Sequence, residues 1–375
     1  MLQYMRMINV VDEIATLQSV LVKRPGQEIG ILNKTNMEEY LFDEIPNLKA
    51  AQKEHDIFTN ILRQEGVKVD YLDDLMAEVL KDKKVKEEFL KEFLNDQNCS
   101  DDKIYQELLS IKDEKELVDK TMSGFDGKLI AMPNLYFTRD PFTIIGNHIA
   151  LYHMHTTIRN REVIYGKYIN KYHKDFDLPI LYMRNDEFQI EGGDVMLLNN
   201  ETMIIGISER TTIDAACKLA KNIIDSSLPI KQILFMEIPS KRSCMHLDTV
   251  FTRFNKNKFV VFDEVYQVMK LSLFDKNGIT KINDSLTSTL NKLLYRADVK
   301  VITCGNKDDE VIEQWNDACN TLCIAPNKFI VYDINATTNE KFLNEGATIY
   351  KIPSKELLKG RGGPHCMSMA LKRSN

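Results

Sequence analysis

The sequence predicts an α/β protein of repeated strand-rich modules set around a centre, interrupted in its first third by a helical segment. Three observations carry this prediction. A strand, a helix and a second strand follow in short succession between Leu17 and Leu72. The stretch from Asp74 to Lys120 is rich in Lys, Glu, Asp and Leu and contains no proline or glycine. Beyond it, Asn257-Lys258-Phe259-Val260-Val261-Phe262-Asp263 resembles Asn327-Lys328-Phe329-Ile330-Val331-Tyr332-Asp333 position by position, and a repeated plan signals similar structural units.

Each element has a local reason. The first strand, Leu17 to Lys23, ends at the turn Arg24-Pro25-Gly26. Asn47 to Glu65 reads as a helix because Leu48, Ala51, His55, Phe58, Ile61 and Leu62 recur near helical spacing. Gly66 stops it, and Val67 to Leu72 returns as a strand. In the segment 74–120, helical spacing recurs at Leu75, Val79 and Leu80, at Phe89, Phe93 and Leu94, and at Leu108 and Leu109. Its charges make a solvated face, and it is expected to be a small helical insertion. Two later blocks share a plan of strand, asparagine turn and strand: Phe142 to Tyr152 turns at Gly146-Asn147, and Val195 to Ile207 turns at Asn199-Asn200. Catalytic groups can then converge from the ends of different modules.

Bulk properties narrow the function. The chain has 375 residues, 43% hydrophobic and 28% charged, with a net charge of -6. It can bury a substantial core, and it lacks the basic face that nucleic-acid binding needs. An acidic surface favours a cationic substrate. The seven cysteines, Cys99, Cys217, Cys244, Cys304, Cys319, Cys323 and Cys366, have irregular spacing, which argues for a reducing compartment. Met1 to Val11 makes a poor signal peptide, and no run approaches the roughly 20 apolar residues that span a bilayer. A soluble, cytoplasmic protein without membrane partners is expected.

Four polar constellations begin or end the modules: Met132 to Pro141, with Arg139-Asp140; Glu191-Gly192-Gly193-Asp194; His246-Leu247-Asp248-Thr249; and Gly360-Arg361-Gly362-Gly363-Pro364-His365-Cys366. A cysteine in a glycine-rich loop beside an arginine and a histidine is a candidate nucleophile. In an extended strand His246 and Asp248 share a face, so the pair can combine a proton shuttle with a charge receptor. Adjacent His365 and Cys366 diverge if extended, which favours His246 as the base. The paired glycines after Glu191 allow a close approach by another backbone or a ligand. His153 and His155 share a strand face without a fitting third metal ligand, and Cys319 and Cys323 lack partners at zinc spacing. The Gly360 loop lacks the Lys-Ser/Thr of a phosphate-binding loop, and Gly-x-Ser-x-Gly is absent. Several carboxylates around a thiolate raise its pKa. Such a site suits a substrate that brings its own positive charge, and a planar guanidinium pairs bidentately with carboxylates.

With Leu41-Phe42-Asp43-Glu44-Ile45-Pro46, Gln52-Lys53-Glu54-His55-Asp56 and Gly206-Ile207-Ser208-Glu209-Arg210-Thr211, these motifs resemble those of bacterial-type arginine deiminases in the guanidine-modifying superfamily, from about Ile14 to Lys372. The resemblance implies a pseudo-fivefold α/β propeller of ββαβ-type modules, one catalytic unit over 1–375 with the helical insertion inside it. It implies hydrolysis of L-arginine to L-citrulline and ammonia, the first step of arginine catabolism by the deiminase route, without metal or organic cofactor, in a homo-oligomer. Carried over by position, Cys366 is the nucleophile and His246 the general acid/base. Asp140 and Asp248 bind the guanidinium, and Glu191 assists. Arg159, preferred to Arg161, and Arg210 hold the substrate carboxylate with Asn134 nearby. Phe137 packs on the aliphatic stem, Arg361 is expected near the sulfur, and Asp194 supports the site. The rival readings are another guanidine substrate, amidino transfer, or a silent arginine-binding protein.

Overall fold

The computed structural model describes residues 8–374; of the N-terminal reading over Met1 to Val11, residues 1–7 lie outside the described residues. One plan, an antiparallel hairpin whose second strand takes a parallel neighbour through a helix, occurs five times in five separate sheets. Parallel strands need such a crossover. Phe142–Ile145, His148–Leu151 and Ile180–Tyr182 form one module, crossed by helix Val163–Tyr172. Val195–Asn199, Thr202–Ile207 and Gln232–Glu237 form the next, crossed by Ile213–Ile224. Phe251–Asn255, Lys258–Val261 and Lys300–Thr303 follow, crossed by Leu286–Leu293. Leu322–Ala325, Lys328–Tyr332 and Thr348–Ile352 repeat the plan with Ala336–Asn344.

The remaining module is assembled from both ends of the chain. Met369–Ser374 pairs antiparallel with Thr16–Val22, which pairs parallel with Lys68–Tyr71 after helix Leu48–Gln64. The resulting ring is an α/β propeller of five modules. One sheet is enlarged to five strands by the hairpin Lys270–Asp275 and Gly278–Ile282.

Helices Leu72–Val79, Lys83–Asp96, Asp102–Ser110 and Glu114–Met122 occupy the charged segment. Asp82, Asp101 and Asp113 accept hydrogen bonds from the first free N–H groups of three of them, which is why these short helices start where they do. Phe89 packs between Tyr165 and Tyr168 of the neighbouring module, 5.8 and 5.2 Å between ring centroids. Burying an aromatic of this size stabilises by about 1.5–3 kcal/mol. No helix among the described residues is long and apolar enough to cross a membrane.

What matters for chemistry is the peptide before the first strand of each module. Turns over 133–136, 192–194, 247–249, 316–319 and 364–367 precede the strands that start at Phe142, Val195, Phe251, Leu322 and Met369. Hydrogen bonds join these turns in a ring. Gly192 N donates to Asp140 O at 3.0 Å and Arg139 N to Cys366 O at 3.1 Å. Leu247 N donates to Asp194 Oδ1 at 2.8 Å, Thr252 Oγ1 to Cys319 O at 2.5 Å, and Cys366 N to Asn320 Oδ1 at 3.0 Å. Buried backbone groups must find such partners, so the propeller centre fixes the position of its polar side chains.

Candidate active site

The ring of turns brings Asp140, Glu191, His246, Asp248 and Cys366 into one buried cluster; Cys366 is 2% exposed. Cys366 Sγ lies 3.3 Å from Asp248 Oδ2. His246 Nε2 lies 2.7 Å from Glu191 Oε2, and its Nδ1 is 3.9 Å from Asp140 Oδ1. The glycines after Glu191 allow this closeness. A Cβ on Gly192 would meet the Arg139 carbonyl oxygen at 2.0 Å, and one on Gly193 would meet the His246 ring at 2.7 Å. Asp194 is not among the residues lining the cavity and ties its turn to two others, accepting from Ser208 Oγ, Thr211 Oγ1 and Leu247 N at 2.7, 2.6 and 2.8 Å. Burial nonetheless pushes its carboxyl up to about 7.

The charges are unevenly tuned. Against its own burial, Glu191 is held well below the usual carboxylate range by the Arg210 guanidinium and His246. Burial opposes a charge on His246, but Asp140 and Glu191 outweigh it and raise the imidazole to about 9. His365 holds Asp248 below its ordinary value, again against burial. Burial, then Asp248, Asp140 and Asp317, push the Cys366 thiol well above its ordinary range. The cluster therefore holds a neutral thiol and a protonated imidazole at neutral pH.

A cavity of about 10 Å³ is lined by Leu41, Asn134, Phe137, Asp140, Arg159, Arg210, Arg242, Met245, His246, Gly360, Arg361 and Cys366. That is about the room of one water. Arg159 donates Nη1 to Asp140 Oδ2 at 2.7 Å and is also held by Glu162 at 2.9 Å. Arg161 instead donates to Asp96 O. Asn134 Nδ2 donates to Tyr40 O at 2.8 Å. Phe137 packs against the loop glycines, so that a Cβ on Gly362 would meet its ring at 2.4 Å. Asp140, Glu191 and His246 place ligand-type atoms within 4.8 Å of one another. Arg159 already pairs with Asp140, and Glu191 and His246 pair with each other, so the spacing of a cation site is filled by the protein's own cations.

The structure corrects three readings. His246 is extended, but Leu247–Thr249 is a tight helical turn, so strand alternation does not apply. His246 pairs with Glu191, and Asp248 bonds His365 Nδ1 at 2.8 Å. His365 and Cys366 lie in a turn and do not diverge; both reach Asp248 Oδ2. His153 and His155 follow the strand that ends at Leu151 and bind Asp186 O and Gln189 Oε1 separately. Arg361, expected near the sulfur, lines the cavity together with Cys366. It stacks on Trp315, 3.5 Å from the ring centroid, donates to Trp315 O at 2.6 Å, and lies 3.7 Å from Asp43.

Sequence reasoning missed the turn before Leu322. Asn320 Nδ2 donates to Cys366 Sγ at 3.0 Å, and Asp317 is buried beside it with both carboxyl oxygens unpartnered among the described residues. The signal was present: aligning Asn257 with Asn327 brings the polar turn Leu247–Thr249 onto residues 317–319. Glu13, which reaches His365 and Arg139 at 3.4 and 3.5 Å, had no such signal.

Comparison with known proteins agrees with this geometry. The family model described as arginine deiminase matches residues 38–127 and 103–373. An arginine deiminase of Treponema denticola is 40% identical over 408 aligned residues, covering 99% of this chain and 100% of its own. One of Streptococcus agalactiae serotype V is 40% identical over 405, covering 98% of each. Among solved structures, DDAH from Pseudomonas aeruginosa in complex with citrulline superposes with a TM-score of 0.57 at 13% identity over 94% of this chain and 99% of its own. The N-terminal domain of ArgZ, an arginine dihydrolase of cyanobacteria, gives 0.58 at 14% identity, with 95% and 97% coverage. These two share the propeller fold, and the full-length sequence matches carry the closer relationship: the chain belongs to the arginine deiminase family, hydrolases acting on C–N bonds.

Proposed function

We propose that this protein hydrolyses L-arginine to L-citrulline and ammonia through a covalent amidino-cysteine on Cys366, in the first step of arginine catabolism. One observation carries the reading. Asp140 Oδ1 and Asp248 Oδ1 are both buried without a hydrogen-bond partner among the described residues, and the charges of both aspartates act on the Cys366 sulfur. An unpaired buried acceptor costs about 1–3 kcal/mol. A guanidinium between the two aspartates satisfies both and presents its central carbon to the sulfur. Arg159 and Arg210 then take the substrate carboxylate, with Arg159 giving up part of its pairing to Asp140.

The bound cation offsets the carboxylates that keep the thiol neutral, and the Cys366 proton is lost to solvent as substrate enters. The thiolate adds to the guanidinium carbon. His246, protonated at neutral pH, gives its proton to one departing nitrogen, which leaves as ammonia. The neutral imidazole, oriented by Glu191, then takes a proton from water as the water attacks the amidino carbon. Collapse expels the sulfur and releases citrulline. Two smaller barriers replace one.

The test is an assay of ammonia and citrulline across arginine, agmatine and methylarginines, with Cys366→Ser and Asp140→Ala beside the unaltered protein. Arginine is expected to be the preferred substrate, because agmatine leaves Arg159 and Arg210 without a carboxylate. Near-normal turnover by Cys366→Ser would remove the mechanism. His246→Ala incubated with arginine is expected to accumulate the amidino adduct on Cys366 by mass spectrometry. Light scattering checks the homo-oligomer that belongs to this reading.

A further inference from the structure

We propose that Asn320 is a catalytic residue whose side-chain N–H stabilises the Cys366 thiolate, both as the sulfur attacks and as it departs. The inference rests on Cys366 being the nucleophile. Asn320 is fully buried. Its Oδ1 accepts from the backbone N–H of Gly363 and of Cys366, each at 3.0 Å. Those two donors fix which end of the amide is oxygen, so the NH2 group must face the sulfur, where Nδ2 lies 3.0 Å from Sγ.

Burial and the carboxylates close to the sulfur work against the thiolate. Asp248 Oδ2 accepts from the thiol at 3.3 Å, and Asp140, Asp248 and Asp317 all oppose its ionisation. Arg361, the nearest cation in sequence on this loop, is turned onto Trp315. Asn320 is the hydrogen-bond donor to the sulfur among the described residues. A neutral amide suits that place, because it stabilises a sulfur anion without repelling an incoming guanidinium.

The surroundings are shaped around this contact. Asn320 N donates to Asp317 O at 2.9 Å, and Asp317 takes a left-handed backbone with φ of 58°, a conformation that costs a non-glycine residue energy. A Cβ on Gly363 would come within 2.8 Å of the Asn320 side chain, so glycine there lets the cysteine loop close onto the amide.

An asparagine that only stapled the loop would have the same contacts, and the two roles predict opposite signs. Loss of a staple exposes the sulfur and speeds its alkylation. Loss of the donor lowers the thiolate fraction and slows it. The experiment measures iodoacetamide alkylation of Cys366 against pH in the substrate-free protein, read by mass spectrometry, and kcat and KM for arginine, for Asn320→Leu and Asn320→Ala. A lost bond to an ionised group predicts alkylation and kcat each about 10- to 100-fold lower, with KM within about threefold. Alkylation that is unchanged or faster overturns the proposal, as does turnover within about twofold of the unaltered protein. If Asn320→Leu does not fold, the smaller Asn320→Ala gives the same two readings. Failure of the nucleophile reading is seen separately, as turnover by Cys366→Ser.

Discussion

Glu191 and His246 form a buried pair, with Oε2 2.7 Å from Nε2, and in the proposed mechanism this pairing is expected to set the upper pH limit of turnover. His246 is raised to about 9 by Asp140 and Glu191 against the pull of burial. A general acid works only while it holds its proton, so kcat/KM for arginine is expected to fall above about pH 9. Glu191→Gln removes one negative partner and is expected to move that alkaline limb down by about 1–2 pH units. An alkaline limb that stays in place in Glu191→Gln would mean that another group sets it.

The two glycines after Glu191 should respond differently to one added methyl group. In Gly193→Ala the new Cβ meets His246 Cγ at 2.7 Å and pushes the imidazole off Glu191. A shift of this kind costs about 100-fold in kcat with little change in unfolding midpoint. In Gly192→Ala the collision is with the Arg139 backbone at 2.0 Å, which strains the ring of turns and costs about 1–3 kcal/mol of stability. Equal losses of stability in the two variants would contradict this division.

Much of this arrangement was legible from the chain, for a physical reason. Hairpins with Asn or Gly at their turns and a helix with Ala51, Phe58 and Leu62 on one buried face announce themselves through period and turn chemistry. Asp140, Glu191, His246, Asp248 and Cys366 stand out because each sits in a polar turn before a module's first strand. The errors came where local conformation departs from a regular period. His246 to Asp248 looks extended but bends at Leu247–Thr249. The turn at Asp317 to Asn320 was obscured by neighbouring cysteines that drew attention to metal chemistry. Glu13 enters the centre only because the N-terminal strand closes the ring against Met369–Ser374, and no spacing in sequence encodes that.

Asp317 gives a stability test with a definite sign. Burial, followed by the charges of Asp248 and Asp43, pushes its carboxyl from 3.8 up to about 7, with Arg361 opposing. The folded state therefore holds this proton more tightly than the unfolded chain does. Its contribution to stability is fullest below the unfolded value and is lost as pH rises through about 7. Asp317→Asn cannot lose a proton there. The variant is expected to gain stability relative to the unaltered protein at about pH 8 compared with about pH 5, measured as urea midpoints. A pH-independent difference would show that Asp317 is not the group that titrates.

Trp315 is the single tryptophan of the chain, and Arg361 lies flat on it at 3.5 Å. The same arginine, left-handed with φ of 64°, borders a cavity of about 10 Å³, far too small for an amino acid. Arginine can enter only if the rim formed by Leu41, Arg242 and Arg361 moves. Arg242 is tied to Asp43 at 2.7 Å and to the Leu41 carbonyl at 3.0 Å, so the most direct motion is release of the Arg361 loop from Trp315. Breaking a cation–π contact of this kind costs about 0.5–2 kcal/mol, within reach of substrate binding. Titrating arginine into Cys366→Ser is therefore expected to change tryptophan emission with saturation. The double variant with Arg361→Ala should bind arginine without that change, because its ring is uncovered from the start. Emission that stays constant while calorimetry shows arginine bound would place the entry route elsewhere on the rim.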